Sequence, residues 1–210
     1  MQRVEVCDVR QRWATAIERA VALLRTGQIV AYPTDTLYAL GAAANDARAV
    51  RAVMALKERP TDKALPIIAA DLEQVAAHVG SLPPLGLRLA QRLWPGPLTL
   101  VMTASRPLAP GIVAPDGSVA VRVPASDVAR ALAAAVERPV TSTSANKASG
   151  SPAESADEVT RVFGTTVALV LDGGPAPAVA PSTIVDIRGT APQLLREGAL
   201  TWGHVLESLE

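Results

Sequence analysis

The sequence predicts an α/β fold, and three observations carry that expectation. Short apolar runs of strand length alternate with longer stretches of helical period along the whole chain. Pro, Gly, Asp, Asn and Ser cluster at the junctions between them. Of 210 residues, 49% are hydrophobic and 19% charged, which suits a packed core and excludes a disordered chain. No internal repeat is visible. The Pro/Ala/Gly-rich stretch 173–181 is too short to separate domains, so residues 1–210 are expected to form one domain.

The elements follow in order. Asp8 reads as an N-cap, with Trp13, Ile17, Val21 and Leu24 at helical spacing and Gly27 closing the helix. Gln28 to Tyr32 reads as a buried strand running into the polar turn Pro33-Thr34-Asp35-Thr36. Asn45 or Asp46 caps a helix whose apolar stripe is Val50, Val53 and Met54, and Pro60 ends it. Leu65–Ala70 is a strand; Asp71 opens a helix; Leu85–Trp94 forms another, stopped by Pro95-Gly96-Pro97. Leu98–Thr103 and the alternating Val119–Pro124 are strands. Asp127–Val136 is helical, Val140–Ser144 a strand, Ser155–Phe163 a helix, and Val167–Leu171 and Ser182–Ile187 strands.

Composition narrows the function. Basic and acidic residues number 20 each, so wholesale binding to nucleic acid or membrane is not expected, and direct tRNA binding should be weak or absent. One cysteine, Cys7, gives neither an intrachain disulfide nor a metal cluster. Residues 1–12 lack an apolar signal core, and no apolar run reaches the roughly 20 residues of a membrane span. A cytoplasmic protein is expected. Phosphate loops, dinucleotide glycine fingerprints, zinc spacings and nucleophile elbows do not occur.

What remains is a set of polar residues at strand ends, where open α/β sheets place their sites. The chain has 17 arginines but three lysines. Two of these bracket Lys57-Glu58-Arg59-Pro60-Thr61-Asp62-Lys63, and the third, Lys147, follows Ser142-Thr143-Ser144-Ala145-Asn146. A compact ammonium kept among arginines suits a phosphate treated as a point charge. An extended Lys57–Arg59 segment would aim both cations to one side, although Glu58 and Asp62 offer simple pairing instead. Strand alternation puts Ser142, Ser144 and Asn146 on one side, where they can hold nucleotide oxygens or serve as turn caps. Thr34, Asp35 and Thr36 can bind a small polar ligand, or Thr34 or Asp35 caps a turn. Arg122 lies opposite three strand valines and requires an anion, from an internal carboxylate or from a ligand.

Taken together and in order, YPTDTLYALGA, KERPTDKALPII, WPGPLTLVM, VAVRVP, STSANKASGSP, STIVDI and LLREGAL resemble the YrdC-type threonylcarbamoyl-AMP synthase family, from about Gln28 to Ala199. The resemblance implies a YrdC-like twisted, open mixed sheet with helices on its faces and a concave basic cleft. It implies condensation of L-threonine, bicarbonate and ATP to threonylcarbamoyl-AMP and pyrophosphate, for N6-threonylcarbamoylation of tRNA at A37. Downstream tRNA threonylcarbamoyl-transfer proteins are the expected partners. A non-catalytic double-stranded RNA or tRNA-binding module of the same fold is the alternative.

Carried over residue by residue, Lys57 and Arg59 are the expected catalytic cations. Lys63, Ser142, Ser144, Asn146 and Arg196 join them around the nucleotide, while Thr34, Thr36, Arg122 and Ser182 orient threonine. Mg²⁺ is expected to accompany ATP, without a dedicated carboxylate cage. Ala39 stands where the family usually has Gly, and Ala69 and Ala70 occupy the region of a histidine carried by longer members. Ending at Glu210, the chain resembles the single-domain form. Residues from about Gly173 onward are expected to form a mobile flap over the cleft.

Overall fold

The computed structural model describes residues 4–60, 62–148, 150–177 and 180–210. Among these residues the strands are β1 (Glu5–Asp8), β2 (Val30–Pro33), β3 (Tyr38–Gly41), β4 (Ile67–Ile68), β5 (Leu98–Thr103), β6 (Ser118–Arg122), β7 (Val140–Thr141), β8 (Thr143–Ser144), β9 (Leu169–Asp172), β10 (Thr183–Asp186) and β11 (Gln193–Arg196). The helices are α1 (Trp13–Arg25), α2 (Ala47–Leu56), α3 (Leu72–His78), α4 (Pro84–Leu93), α5 (Asp127–Val136), α6 (Ala156–Phe163) and α7 (Trp202–Glu207).

The fold is mixed α/β, as expected, but the strands divide between two mixed sheets rather than forming one. One sheet has the order β1-β9-β2-β3-β8, the other β11-β10-β5-β6-β4-β7. The reason lies in residues 140–144. This segment reads as one strand, yet it pairs with β4 through Val140 and Thr141 and with β3 through Thr143 and Ser144. Ser142 is the crossing point, its amide donating to the Pro66 carbonyl at 2.8 Å. One strand thus leaves one sheet and enters the other within two residues, and the two sheets meet there.

Helices cover the sheet faces through their apolar stripes. On the first sheet, Ala16, Ile17 and Leu24 of α1 and Val128, Leu132 and Val136 of α5 pack with Val30, Tyr32 and Leu169. A second, larger core takes Val50 and Val53 of α2, Leu85 and Leu89 of α4 and Val159 and Phe163 of α6. It joins them to Leu98, Leu100, Val119, Val121 and Val185 of the second sheet. Full burial of each such side chain contributes about 1.5–3 kcal/mol. Asp46, Asp71, Ser126 and Ser155 cap α2, α3, α5 and α6 by accepting backbone amides.

Three expectations need correction. Asp8 is not a helix cap: it ends β1, its carboxylate accepts from the Arg10 amide and guanidinium, and α1 begins later with Arg12 before it. Parallel pairing of β1 with β9 holds Asp8 in the sheet edge opposite Asp172. Second, Lys57 and Glu58 are not extended. Glu58 sits at φ 50°, its amide donating to Ala55 and that of Arg59 to Met54. This pair of bonds closes α2 with a left-handed residue in the place glycine usually takes.

Third, the C-terminal segment is part of the fold and not a flap. β10 lies inside the second sheet, between β5 and β11, and Thr183, Val185 and Ile187 are fully buried. The Thr183 hydroxyl donates to the Leu200 carbonyl and accepts the amides of Gly198 and Leu200. A Cβ on Gly198 would meet the Pro181 carbonyl oxygen at 2.0 Å, so only glycine fits this turn. The stretch 173–181 carries the chain from the first sheet to the second. Its start is tied down, with the Tyr38 hydroxyl donating to Gly174 O at 2.6 Å, while residues 178 and 179 lie outside the described residues.

Candidate active site

Where the two sheets meet, a cleft of about 400 Å³ opens. Its floor is the uncovered face of the second sheet. Period-2 alternation decides which side chains reach it: on β6, Val119 and Val121 go to the core while Ala120 and Arg122 face the cleft. On β5 and β10, Thr99 and Ile184 face the cleft between core-facing Leu98, Leu100, Thr183 and Val185. The rim comes from the turn joining β2 to β3, from β8 and from the segment after α2.

Eight of the eleven residues singled out from the sequence line this cleft: Thr34, Thr36, Arg59, Arg122, Ser142, Ser144, Ser182 and Arg196. Lys57 and Asn146 stand directly behind it. Lys63 does not line it; this residue is exposed, and only its carbonyl turns inward to accept from Arg59. Thr143 lines the cleft together with both flanking serines, because the crossing at Ser142 interrupts the expected alternation.

Lys57 caps α2 and is 6% exposed. Its Nζ donates to the Ser144 carbonyl at 2.6 Å and to Asn146 Oδ1 at 2.6 Å, with Ser144 Oγ at 3.4 Å. Asn146 Oδ1 also accepts from Ser144 Oγ at 2.7 Å, and its amide nitrogen donates to Gly150 O. Burial, and then the neighbouring Arg59, push the Lys57 ammonium down to about 8. Arg59 donates to the carbonyls of Lys63 and Ala64 at 2.8 and 2.7 Å, which turns the loop after Pro60 back on itself.

Arg122 is the buried cation of the floor. It donates from Nε to Gly96 O at 2.8 Å, pairs with Asp35 Oδ2 at 2.5 Å and reaches Thr36 Oγ1 at 3.3 Å. Gly96 belongs to the rigid Pro95-Gly96-Pro97 turn; a Cβ there would strike Leu93 O at 2.3 Å. That turn therefore presents a carbonyl to the guanidinium as well as ending α4. Of the five N–H groups of arginine, these three contacts leave two without a partner among the described residues. Burial lowers the Arg122 pKa despite the opposing effect of Asp35, and lowers those of Arg59 and Arg196.

The threonine turn is ordered by its own hydroxyls. Thr34 Oγ1 donates to Leu37 O at 2.7 Å, accepts the amides of Thr36 and Leu37, and lies 3.0 Å from Thr36 Oγ1. With the Thr34 proton committed to Leu37, Thr36 donates to Thr34. Across the cleft, Arg196 on the edge strand β11 donates to the Ser182 carbonyl at 2.6 Å, and Ser182 Oγ lies 2.8 Å from Thr99 Oγ1.

Among the described residues the lining thus holds three arginines, an array of hydroxyls and no carboxylate. Such a surface is suited to an anion that also presents hydroxyl or carbonyl oxygens. No group of three or more His, Cys, Asp or Glu that could hold a metal occurs among the described residues. No helix among them is long and apolar enough to cross a membrane.

The comparisons decide the lineage. The family model Sua5_yciO_yrdC, described as "Telomere recombination", matches residues 22–198. The chain belongs to the Sua5/YciO/YrdC family. It is 39% identical over 199 residues to a threonylcarbamoyl-AMP synthase of Pyrococcus abyssi, covering 93% of this chain and 58% of that protein. A threonylcarbamoyl-AMP synthase of Thiobacillus denitrificans is 39% identical over 166 residues, 79% of this chain and 88% of its own length. The crystal structure of P. abyssi Sua5 complexed with L-threonine superposes with a TM-score of 0.87 at 36% identity, over 92% of this chain and 57% of that one. The chain therefore spans somewhat more than half of the longer Sua5 relatives and nearly all of shorter ones.

Two residues at the cleft of this family member, one lining it and one behind its floor, are not marked as such by the sequence. Thr99 is a polar residue at an alternate position of an apolar strand, a period-2 signal masked by the adjacent Pro-Gly-Pro turn, which reads as structural. Asp35 is visible as a possible ligand group or cap but not as the partner of Arg122, because nothing in the sequence brings it across 87 residues to that guanidinium.

Proposed function

We propose that this chain condenses L-threonine, bicarbonate and ATP into threonylcarbamoyl-AMP, releasing pyrophosphate and water. The observation that carries the proposal is the cleft lined by three arginines and many hydroxyls, assembled from both sheets in a member of this family. Relatives named threonylcarbamoyl-AMP synthase, and a related protein crystallised with L-threonine, support it.

In this reading the threonine amine takes up bicarbonate or CO₂ as a carbamate. A carbamate oxygen attacks the α-phosphate, and pyrophosphate leaves. The step needs positioning and cations set against developing phosphate charge rather than a covalent nucleophile. Arg59 and Arg196, on opposite rims, neutralise the phosphates. Ser142 and Ser144 hold nucleotide oxygens. Lys57 acts from behind the wall, its ammonium adding positive potential while its hydrogen bonds fix Ser144 and Asn146. The two remaining N–H groups of Arg122 suit the threonine carboxylate, with Thr36, Ser182 and Thr99 near it. The exposed Lys63 ammonium would contribute at the mouth of the cleft.

Mg²⁺ would arrive with the triphosphate, shielding its charge; Asp35, the carboxylate nearest the cleft, is already engaged by Arg122. The product would pass to cytoplasmic proteins that transfer the threonylcarbamoyl group to tRNA, with residues 1–210 acting as one domain. The test is pyrophosphate release from ATP. It is expected to require L-threonine and bicarbonate together, and release indifferent to either overturns the proposal.

A further inference from the structure

A second cavity, of about 760 Å³, lies where the ends of α1, α2 and α5 approach one another. It shares no lining residue with the cleft. Its wall carries Arg25, Arg48, Arg51 and Arg138 against Asp46 and Glu137. Four guanidiniums and two carboxylates leave an excess of two positive charges on the wall of this cavity.

Ordinary folding needs explain only part of this. Asp46 is spent as the cap of α2, accepting the amides of Arg48 and Ala49 at 2.8 and 3.1 Å, so that helix end offers those amides to no ligand. Arg25 donates to the Ala135 carbonyl at 2.9 Å, and Arg138 follows the same helix end; both suit the negative end of α5. Arg48 and Arg51 have no such reason. They stand one turn apart on one face of α2, where like charges repel, and Arg48 lies in the first turn, which the helix dipole disfavours for a cation. Among the described residues none of the ion pairs involves Arg48, Arg51 or Arg138.

We propose that this cavity is a second anion site, which takes a compact polyphosphate such as pyrophosphate, triphosphate or a nucleotide's phosphate tail. The four arginines are exposed along the wall, and planar guanidiniums contributed by three helix ends can match several phosphate oxygens at once. A concave wall that also bears Glu137 favours a short, strongly charged anion over an extended phosphodiester chain. The inference stands independently of the chemistry assigned to the cleft.

The test is calorimetric titration of the full chain with inorganic triphosphate. Three proteins are compared with wild type: Arg48→Gln/Arg51→Gln/Arg138→Gln, the cleft variant Arg59→Ala, and Arg88→Gln/Arg161→Gln as a control for lost surface charge. Wild type is expected to show a binding class that survives in Arg59→Ala and in the control. In the triple variant that class should weaken by about tenfold or more, since each lost charge-assisted bond is a large contribution. Thermal melting verifies folding, and it should change little, because relief of repulsion between Arg48 and Arg51 offsets the loss of Arg138 at the end of α5. Absence of any class that survives Arg59→Ala overturns the proposal, as does equal weakening in the control. A short single-stranded RNA that binds through these arginines while triphosphate does not would also overturn the compact-polyphosphate assignment.

Discussion

The Lys57 ammonium donates to Asn146 Oδ1 at 2.6 Å, joining residues 89 apart in the chain. It donates equally closely to the Ser144 carbonyl. A lysine at the end of α2 therefore fixes the loop that follows β8, and Lys57 on one side and Ser144 and Asn146 on the other are two halves of one buried contact.

This contact predicts strong coupling. Lys57→Ala removes the cationic donor from the Ser144 carbonyl and Asn146 Oδ1, which keep only the Asn146 amide and the Ser144 hydroxyl, and Asn146→Ala removes one acceptor from a buried charge. A double-mutant cycle read by urea unfolding should give an interaction energy within about 0.5–3 kcal/mol. Additive effects would show that the two side chains act independently. Lys57→Ala should consequently lower stability as well as turnover, whereas the cleaner probe of phosphate charge is Arg59→Ala. Its turnover should fall by roughly a hundred- to thousand-fold, the usual loss on removing one transition-state charge contact. Near wild-type turnover in folded Arg59→Ala would assign that guanidinium to holding the loop alone.

The depressed Lys57 pKa predicts an alkaline limb. The group is charged below about 8 and neutral above it. Activity that depends on the ammonium should therefore decline as pH rises through about 8 in kcat/KM, which reports the free protein. Bound triphosphate favours the ammonium, so the same limb should move to higher pH in kcat. The stability effect has the opposite sense. Between the folded pKa near 8 and the ordinary lysine value of 10.5, the unfolded chain binds more protons, so this group makes stability rise with pH across that window. Lys57→Met should abolish both trends, and profiles unchanged by that substitution would assign them elsewhere.

Asp35 and Arg122 predict an asymmetric stability cost. Their side chains are 16% and 8% exposed. Asp35→Ala leaves a guanidinium in the floor with one protein acceptor fewer. Removing one partner of a buried pair costs about 3–5 kcal/mol, and water access through the cleft places this case near 3. Chemical denaturation measures it. A loss below about 1 kcal/mol, the range of an exposed pair, would mean that solvent already supports Arg122.

The C-terminal segment predicts a division in hydrogen exchange. Thr183–Asp186 pair with β5, and Ile184–Asp186 with β11 on the other side as well, so this strand should exchange slowly without any ligand. Ligand-dependent protection, if the cleft is the site, belongs to the segment after Pro60 and to β11, whose residues are exposed. Rapid exchange across Thr183–Asp186 in the free protein would restore the flap that this sheet replaces.

Local chemistry is legible in the amino-acid sequence. Capping of α2 at Asn45 or Asp46, the helix starts at Asp71 and Ser155, the buried stripe of α2 and the placement of β5, β6 and β10 all depend on residues within a few positions of one another. So is the order of the polar stretches, which suffices to mark the lineage. Tertiary structure decides what distant residues do to each other. The Val140–Ser144 run has the pattern of one strand, and only the positions of β3 and β4 split it between two sheets. Gln193–Arg196 is exposed throughout, carries no amphipathic pattern and becomes a strand because β10 offers it an edge. Lys57 and Arg59 share the face of no extended segment; a left-handed Glu58 separates them, sending one behind the wall and the other into the cleft. Asp35 becomes the partner of Arg122 because a turn in one sheet meets a strand in the other. Hydrophobic period is a property of neighbours in sequence. The pairing of charges is a property of neighbours in space, and here the meeting of two sheets sets it.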